Sequence, residues 1–179
     1  QFGTCCLMGH GIKKDLSKAV MYLSLAADRG LKLAQFCLAM CYMDDDWTEF
    51  DNDNVAKYLR LAADQQLSEA QVMLAACYTT GIGVRTNLTI AIVYFQLAAD
   101  KGQSEAQYSL GTCYLEGICL TKDTVKAAAY LHLAADQGHE LAQLVLAICY
   151  LEGIGVKYNA VQFVKYLRLA AHQNLVEAK

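Results

Sequence analysis

A single period of 36 residues runs through the chain, and no other feature restricts its fold as much. Leu25-Ala26-Ala27-Asp28 returns as Leu61-Ala62-Ala63-Asp64, Leu97-Ala98-Ala99-Asp100 and Leu133-Ala134-Ala135-Asp136, with Leu169-Ala170-Ala171-His172 as a fifth copy. The same spacing carries Tyr22, Tyr58, Tyr94, Tyr130 and Tyr166, and the pairs Ala34-Gln35, Ala70-Gln71, Ala106-Gln107 and Ala142-Gln143. Unrelated columns on one period mark a repeat architecture, in which each unit covers its apolar face with its neighbours.

Each unit reads as two helices. Asp15, Asp51, Asn87, Asp123 and Asn159 precede the first helix, where a side-chain oxygen can accept from orphan amides. Positions 19, 22, 23 and 26 follow the i, i+3, i+4, i+7 spacing of one apolar face. Gly30, Gly102, Gly138 and Asn174 stand where a left-handed cap ends that helix, and Gln66 breaks the column at a strain cost. The second helix is expected from about Lys32 to Tyr42, with Ala34, Leu38 and Cys41 inward. Gly81-Ile82-Gly83, Gly117-Ile118-Cys119 and Gly153-Ile154-Gly155 turn the chain into the next unit. The absence of proline leaves every helix unbroken, and no strand-like alternation competes.

The Tyr-x-x-Leu-Ala-Ala run, the following Gly, the Ala-Gln pair and the Tyr-x-x-Gly-x-Gly-Val turn of Tyr78–Val84 and Tyr150–Val156 carry a resemblance. Over essentially its whole length the chain resembles the Sel-one-like repeats, a branch of the tetratricopeptide-type solenoids. The likeness is weakest between Met43 and Phe50, where Asp45 and Trp47 replace both turn glycines. It implies an all-α, right-handed α/α solenoid. The units are a partial repeat at 1–14, repeats at 15–50, 51–86, 87–122 and 123–158, and a partial repeat at 159–179. Phe2-Gly3-Thr4-Cys5 aligns with Leu110-Gly111-Thr112-Cys113, and Glu177-Ala178-Lys179 opens another second helix. A piece of a longer array is therefore expected.

Composition excludes several functions. Hydrophobic residues form 55% of the chain, which argues against disorder. The net charge of −3 has the wrong sign for tracking nucleic-acid phosphates, and no apolar run is long enough for membrane insertion. Of the eight cysteines, Cys5, Cys41, Cys77, Cys113 and Cys149 lie on the period within an apolar face, as buried free thiols would. Cysteine-rich members of the resembled family carry two per unit, one in each helix, a pattern missing here. The histidines at 10, 132, 139 and 172 form no ligand-spaced cluster with cysteines, so no metal or other cofactor is expected. Catalytic motifs such as Gly-x-Ser-x-Gly and His-Glu-x-x-His do not occur, so the chain is expected not to be an enzyme. Asn87-Leu88-Thr89 fits a glycosylation sequon, but the helix-cap column already accounts for Asn87.

Two surfaces remain for a partner. Positions 17, 21, 24 and 28 share the helix face opposite the apolar arc. Their variable columns supply Lys57, Arg60, Gln96, His132, Lys165 and Arg168 as binding residues on a concave face, if that face is more than a solvated one. Lys57 with Arg60, and Lys165 with Arg168, are expected about 30 Å apart at the usual helix separation, within reach of a nine- or ten-residue extended acidic peptide at about 3.3 Å per residue. The acidic turn around Asp44, Asp45, Asp46 and Trp47 is a secondary docking candidate; it lacks the central glycine of a calcium-binding EF-hand loop. The Tyr22 column reads as core packing. An adaptor that binds a protein or peptide, placed in the cytoplasm, is the favoured function. A regulatory arm of a larger enzyme and a secreted cysteine-rich protein are the alternatives.

Overall fold

A computed structural model describes residues 15–44 and 52–177. Among these residues lie nine α-helices and no strand. They are α1 (Leu16–Ala27), α2 (Lys32–Met43), α3 (Asn52–Asp64), α4 (Ser68–Thr80), α5 (Leu88–Ala99), α6 (Ser104–Glu116), α7 (Thr124–Asp136), α8 (Glu140–Glu152) and α9 (Ala160–Glu177). The chain is thus the all-α repeat of helix pairs that its period requires.

The first helices start at the expected caps. Asp15 accepts from the Lys18 amide at 3.0 Å and Asp123 from the Lys126 amide at 3.0 Å. Asn87 accepts from the Ile90 amide at 3.1 Å, and Asn159 from Val161 at 3.0 Å and Gln162 at 3.1 Å. Each such bond satisfies an orphan donor at the helix start. Asp51 lies outside the described residues. Gly30, Gly102 and Gly138 take the left-handed conformation, and Gln66 adopts it too, at φ 62° despite its Cβ. Asn174 does not: α9 runs through it to Glu177. A Cβ makes the left-handed turn more costly than helical continuation.

The turn between units explains its glycines. A Cβ on Gly83 would overlap the Asn52 carbonyl, and one on Gly155 the Thr124 carbonyl. Each turn therefore presses on the start of its own unit's first helix.

Two compact units divide the chain at Gln1–Tyr94 and Phe95–Lys179. In the first, Ala19, Leu23, Ala27, Ala34, Leu38 and Cys41 join α1 to α2. A second cluster seats Val55, Leu59 and Ala62 of α3 between Ala39 of α2 and Ala70, Leu74 and Cys77 of α4. In the second unit, Leu131, Ala134 and Ala135 of α7 meet Ala142, Leu146 and Cys149 of α8, with Tyr166 of α9 closing the cluster. Alanines let the helices approach, and each fully buried leucine contributes about 1.5–3 kcal/mol.

The Ala-Gln pair has two separate tasks. Ala34, Ala70, Ala106 and Ala142 pack inward, while Gln35, Gln71, Gln107 and Gln143 are buried polar groups. Each glutamine amide donates to the carbonyl of the last LAA alanine, at 3.1 to 3.4 Å. Gln35 also accepts from Gln65 at 2.8 Å, Gln107 from Gln137 at 2.7 Å and Gln143 from Gln173 at 3.1 Å. The helices of a pair, and helices one repeat apart, are tied together by these bonds.

Candidate partner-binding face

Two tyrosine columns, 16 residues apart, converge on one edge of the helix pairs. Tyr42 stacks on Tyr58 (centroids 6.1 Å, planes 12°) and Tyr78 on Tyr94 (6.1 Å, 10°) in the first unit. Tyr114 stacks on Tyr130 (5.8 Å, 6°) and Tyr150 on Tyr166 (6.0 Å, 6°) in the second. The expected assignment of the Tyr22 column to plain core therefore needs correcting. Tyr22 is exposed, Tyr58, Tyr94 and Tyr130 are half-buried, and only Tyr166 is buried. A ring can stack while its hydroxyl end stays polar, and those ends meet the variable column at 60, 96 and 132.

Arg60 donates to the Tyr78 hydroxyl at 2.9 Å. Gln96 donates to the Tyr130 hydroxyl at 3.0 Å and to Asp100 at 2.8 Å, and its oxygen lies 3.3 Å from the same hydroxyl. His132 stands between two phenols, with Nε2 2.8 Å from Tyr150 Oη and Nδ1 3.2 Å from Tyr166 Oη. Tyr166 donates to Asp136 at 3.4 Å. With that donation, one direction of protons satisfies the whole chain: Tyr150 donates to Nε2, and Nδ1–H donates to Tyr166. Burial, aided by Asp136, pushes the Tyr166 phenol up to about 12. Burial holds His132 below its ordinary value despite Asp136.

The candidate residues thus differ in kind. Gln96 and His132 are half-buried and committed to tyrosines. Lys57 and Lys165 are exposed, their ammonium groups 5.1 Å and 4.8 Å from the centroids of Tyr58 and Tyr166. Arg60 spends one N–H on Tyr78, and Arg168 is exposed. In the second unit, Arg168 and Lys165 border an open cavity of about 750 Å³ walled by Val161, Val164 and Leu169. Asp44 caps α2, its amide donating to the Cys41 carbonyl at 3.3 Å. Asp45, Asp46 and Trp47 lie outside the described residues.

The sequence reading passed over one column. Leu25, Leu61, Leu97, Leu133 and Leu169 open each LAA run, yet they stay 58%, 41%, 43%, 52% and 41% exposed, one turn from positions 21 and 28. The signal was an apolar residue kept at one register beside polar positions.

Of the described cysteines, Cys41, Cys77 and Cys149 are buried, Cys37 and Cys113 half-buried and Cys119 exposed, all as free thiols. Among the described residues no group of three His, Cys, Asp or Glu is placed to hold a metal. No described helix is long and apolar enough to cross a membrane.

A family model described as Sel1 repeat matches residues 3–31, 32–67, 68–103, 104–139 and 141–175. Its frame runs from a second helix to the following first helix. No curated protein matches the chain significantly. A protective antigen of uropathogenic Escherichia coli with an SLR fold is 30% identical, with a TM-score of 0.90 over 96% of this chain and 37% of its own. A Sel1 repeat protein from Oxalobacter formigenes is 28% identical, with a TM-score of 0.89 over 96% of this chain and 68% of its own. This chain therefore spans little more than a third of the antigen's length. A third structure, described as a sel1 repeat protein from Klebsiella pneumoniae, shares the fold at 21% identity and a TM-score of 0.55.

Proposed function

The chain belongs to the Sel1 repeat family, whose members generally act as protein-interaction scaffolds, and we propose that it binds a partner protein or peptide without catalysing a reaction. The recurrent exposed leucine carries this reading. An isolated exposed leucine needs no explanation, but one kept open in every described first helix gives each unit its own apolar ridge, the mark of an interaction surface. The tyrosine stacks hold the neighbouring edge rigid, so little conformational freedom is lost on binding.

The binding residues in this proposal are Lys57 and Arg60 on the first unit and Lys165 and Arg168 on the second. Gln96 and His132 hold the tyrosine edge against which a ligand lies. The cationic pairs favour an acidic ligand, by steering its approach more than by raw affinity. A cytoplasmic site of action is part of the proposal, in keeping with cysteines placed as small core residues.

Quantitative affinity capture tests it. Proteins retained by the parent chain should be lost from a Leu61→Ser, Leu133→Ser variant with an unchanged helical spectrum. They should be retained by Leu144→Ser, which changes an exposed leucine on a second helix. Equal capture by all three removes the proposed face.

A further inference from the structure

We infer that the first unit carries a receptor for a phosphoryl group, seated between Arg60 and Arg85, and that it anchors a phosphorylated segment of the partner. This inference rests on the binding-face reading and names the chemistry of one point on it. Where α3, α4 and the turn before α5 meet, a depression of about 360 Å³ is lined by Arg60, Tyr78, Arg85, Thr86, Asn87 and Ile90, among others. No carboxylate lines it. Among the described residues neither guanidinium has an ion-pair partner. Asp64, one turn beyond Arg60, and Arg60 itself both act on the Tyr94 phenol, with opposite signs.

The groups present are donors. Arg60 is held in place by its 2.9 Å bond to Tyr78, which leaves its other N–H groups unused. Tyr78 accepts that bond and keeps its own O–H to give, while its ring is fixed by stacking on Tyr94. Asn87 spends its oxygen capping Ile90 and so retains its amide hydrogens. Thr86 adds a hydroxyl, and Ile90 supplies an apolar wall. Two guanidiniums with neutral donors around them suit an oxyanion. Their charge of +2 matches a phosphomonoester, which carries about −1.5 to −2 at neutral pH, better than the −1 of a carboxylate.

Repetition of the fold does not produce this pairing. The column of Arg60 continues as Gln96, His132 and Arg168, and that of Arg85 as Thr121 and Lys157. Among the repeats that hold both positions, only this one sets two arginines there.

The test uses the 179-residue chain, isotopically labelled for NMR, with phenyl phosphate as probe. Three degenerate peptide pools follow, centred on phosphoserine, serine or glutamate. Phenyl phosphate should shift the amide signals of residues 85–90. The phosphoserine pool should bind about tenfold or more tighter than the glutamate pool, the scale of one added charge-assisted contact. Arg85→Gln, an exposed change with no internal partner to lose, should abolish both effects, and Arg29→Gln should preserve them. Silence of those amides, shifts that persist in Arg85→Gln, or equal binding of the glutamate pool would each overturn the assignment. Phenyl phosphate needs no partner, so the outcome is separable from the fate of the leucine ridge. Amide silence with capture still lost in the leucine variants removes the phosphoryl site alone.

Discussion

Burying an amide side chain costs about 1–3 kcal/mol unless its hydrogen bonds are made. The four inward glutamines show how this chain meets that condition. Gln107 donates to the Ala99 carbonyl and accepts from Gln137. Gln107→Met keeps the volume and loses both bonds, so it should destabilise the chain by about 1–3 kcal/mol. Gln137→Ala leaves the inner bond intact, removing the outer one and an exposed 3.2 Å bond to the Leu133 carbonyl, and should cost about 1 kcal/mol or less. Urea midpoints measure the difference; equal costs would mean that the inner bond contributes nothing. Cys119 presents the reverse case, an L-residue at φ 52° in the column of Gly83 and Gly155. The left-handed conformation costs a side chain about 1–2 kcal/mol, part of which glycine returns as unfolded-state entropy. Cys119→Gly should therefore raise stability by about 0.5–1 kcal/mol, and a lower melting temperature would contradict this account.

The helices were legible because their signals are local: an Asx cap, an apolar face at helical spacing and a left-handed stop act within a few residues. The role of α8's first cap was not. Leu31, Leu67 and Gln103 give their helices no side-chain cap bond, whereas His139 Nδ1 accepts from the Ala142 amide at 3.2 Å. Its Nε2 lies 2.9 Å from Glu105 on α6, and its ring stacks on Tyr108 at 4.7 Å. These partners lie 34 and 31 residues away, so adjacent sequence could not announce them. The same holds for the link between α7, α8 and α9 through His132, Tyr150 and Tyr166. Its pH dependence follows from the directions of the shifts. His132 has a depressed folded value, chiefly through burial, so its contribution is present above about pH 6.5 and lost as the pH falls. Tyr166 is raised from 10.0 to about 12, so its contribution is present below pH 10 and lost between about 10 and 12. His132→Gln, which installs the residue found at position 96, should shrink the fall in melting temperature between pH 7 and pH 5. The alkaline limb should survive, because the Tyr166 phenol stays buried. An acid limb as steep as the parent's would place the titrating group elsewhere.

At the scale of the whole molecule, the period alone dictated the architecture, since units that cannot bury their own apolar arc must stack. What the period could not supply was the division of labour on the exposed side. Arg60, Gln96 and His132 share a column, yet each reaches its tyrosine by different chemistry, and Arg85 becomes notable only once folding sets it beside Arg60. The cysteine column lies on the legible side, for it recurs with the fold and bears on where the molecule works. Burial pushes the thiols of Cys37, Cys77, Cys113 and Cys149 up, which suppresses the reactive thiolate. Cys119 is exposed. In native buffer it should react with a disulfide reagent within the mixing phase, while Cys41, Cys77 and Cys149 react only as fast as the fold opens. Protein isolated without reductant under alkylating conditions and then denatured should yield all eight thiols if it resides in a reducing compartment. Six or fewer, with the missing sulfurs recovered as disulfides by peptide mapping, would move it to an oxidising one. Slow unfolding-limited labelling of Cys77 would show that the column holds the core shut in either compartment. Rapid labelling there would mean that the α3–α4 packing opens far more readily than its buried leucines imply.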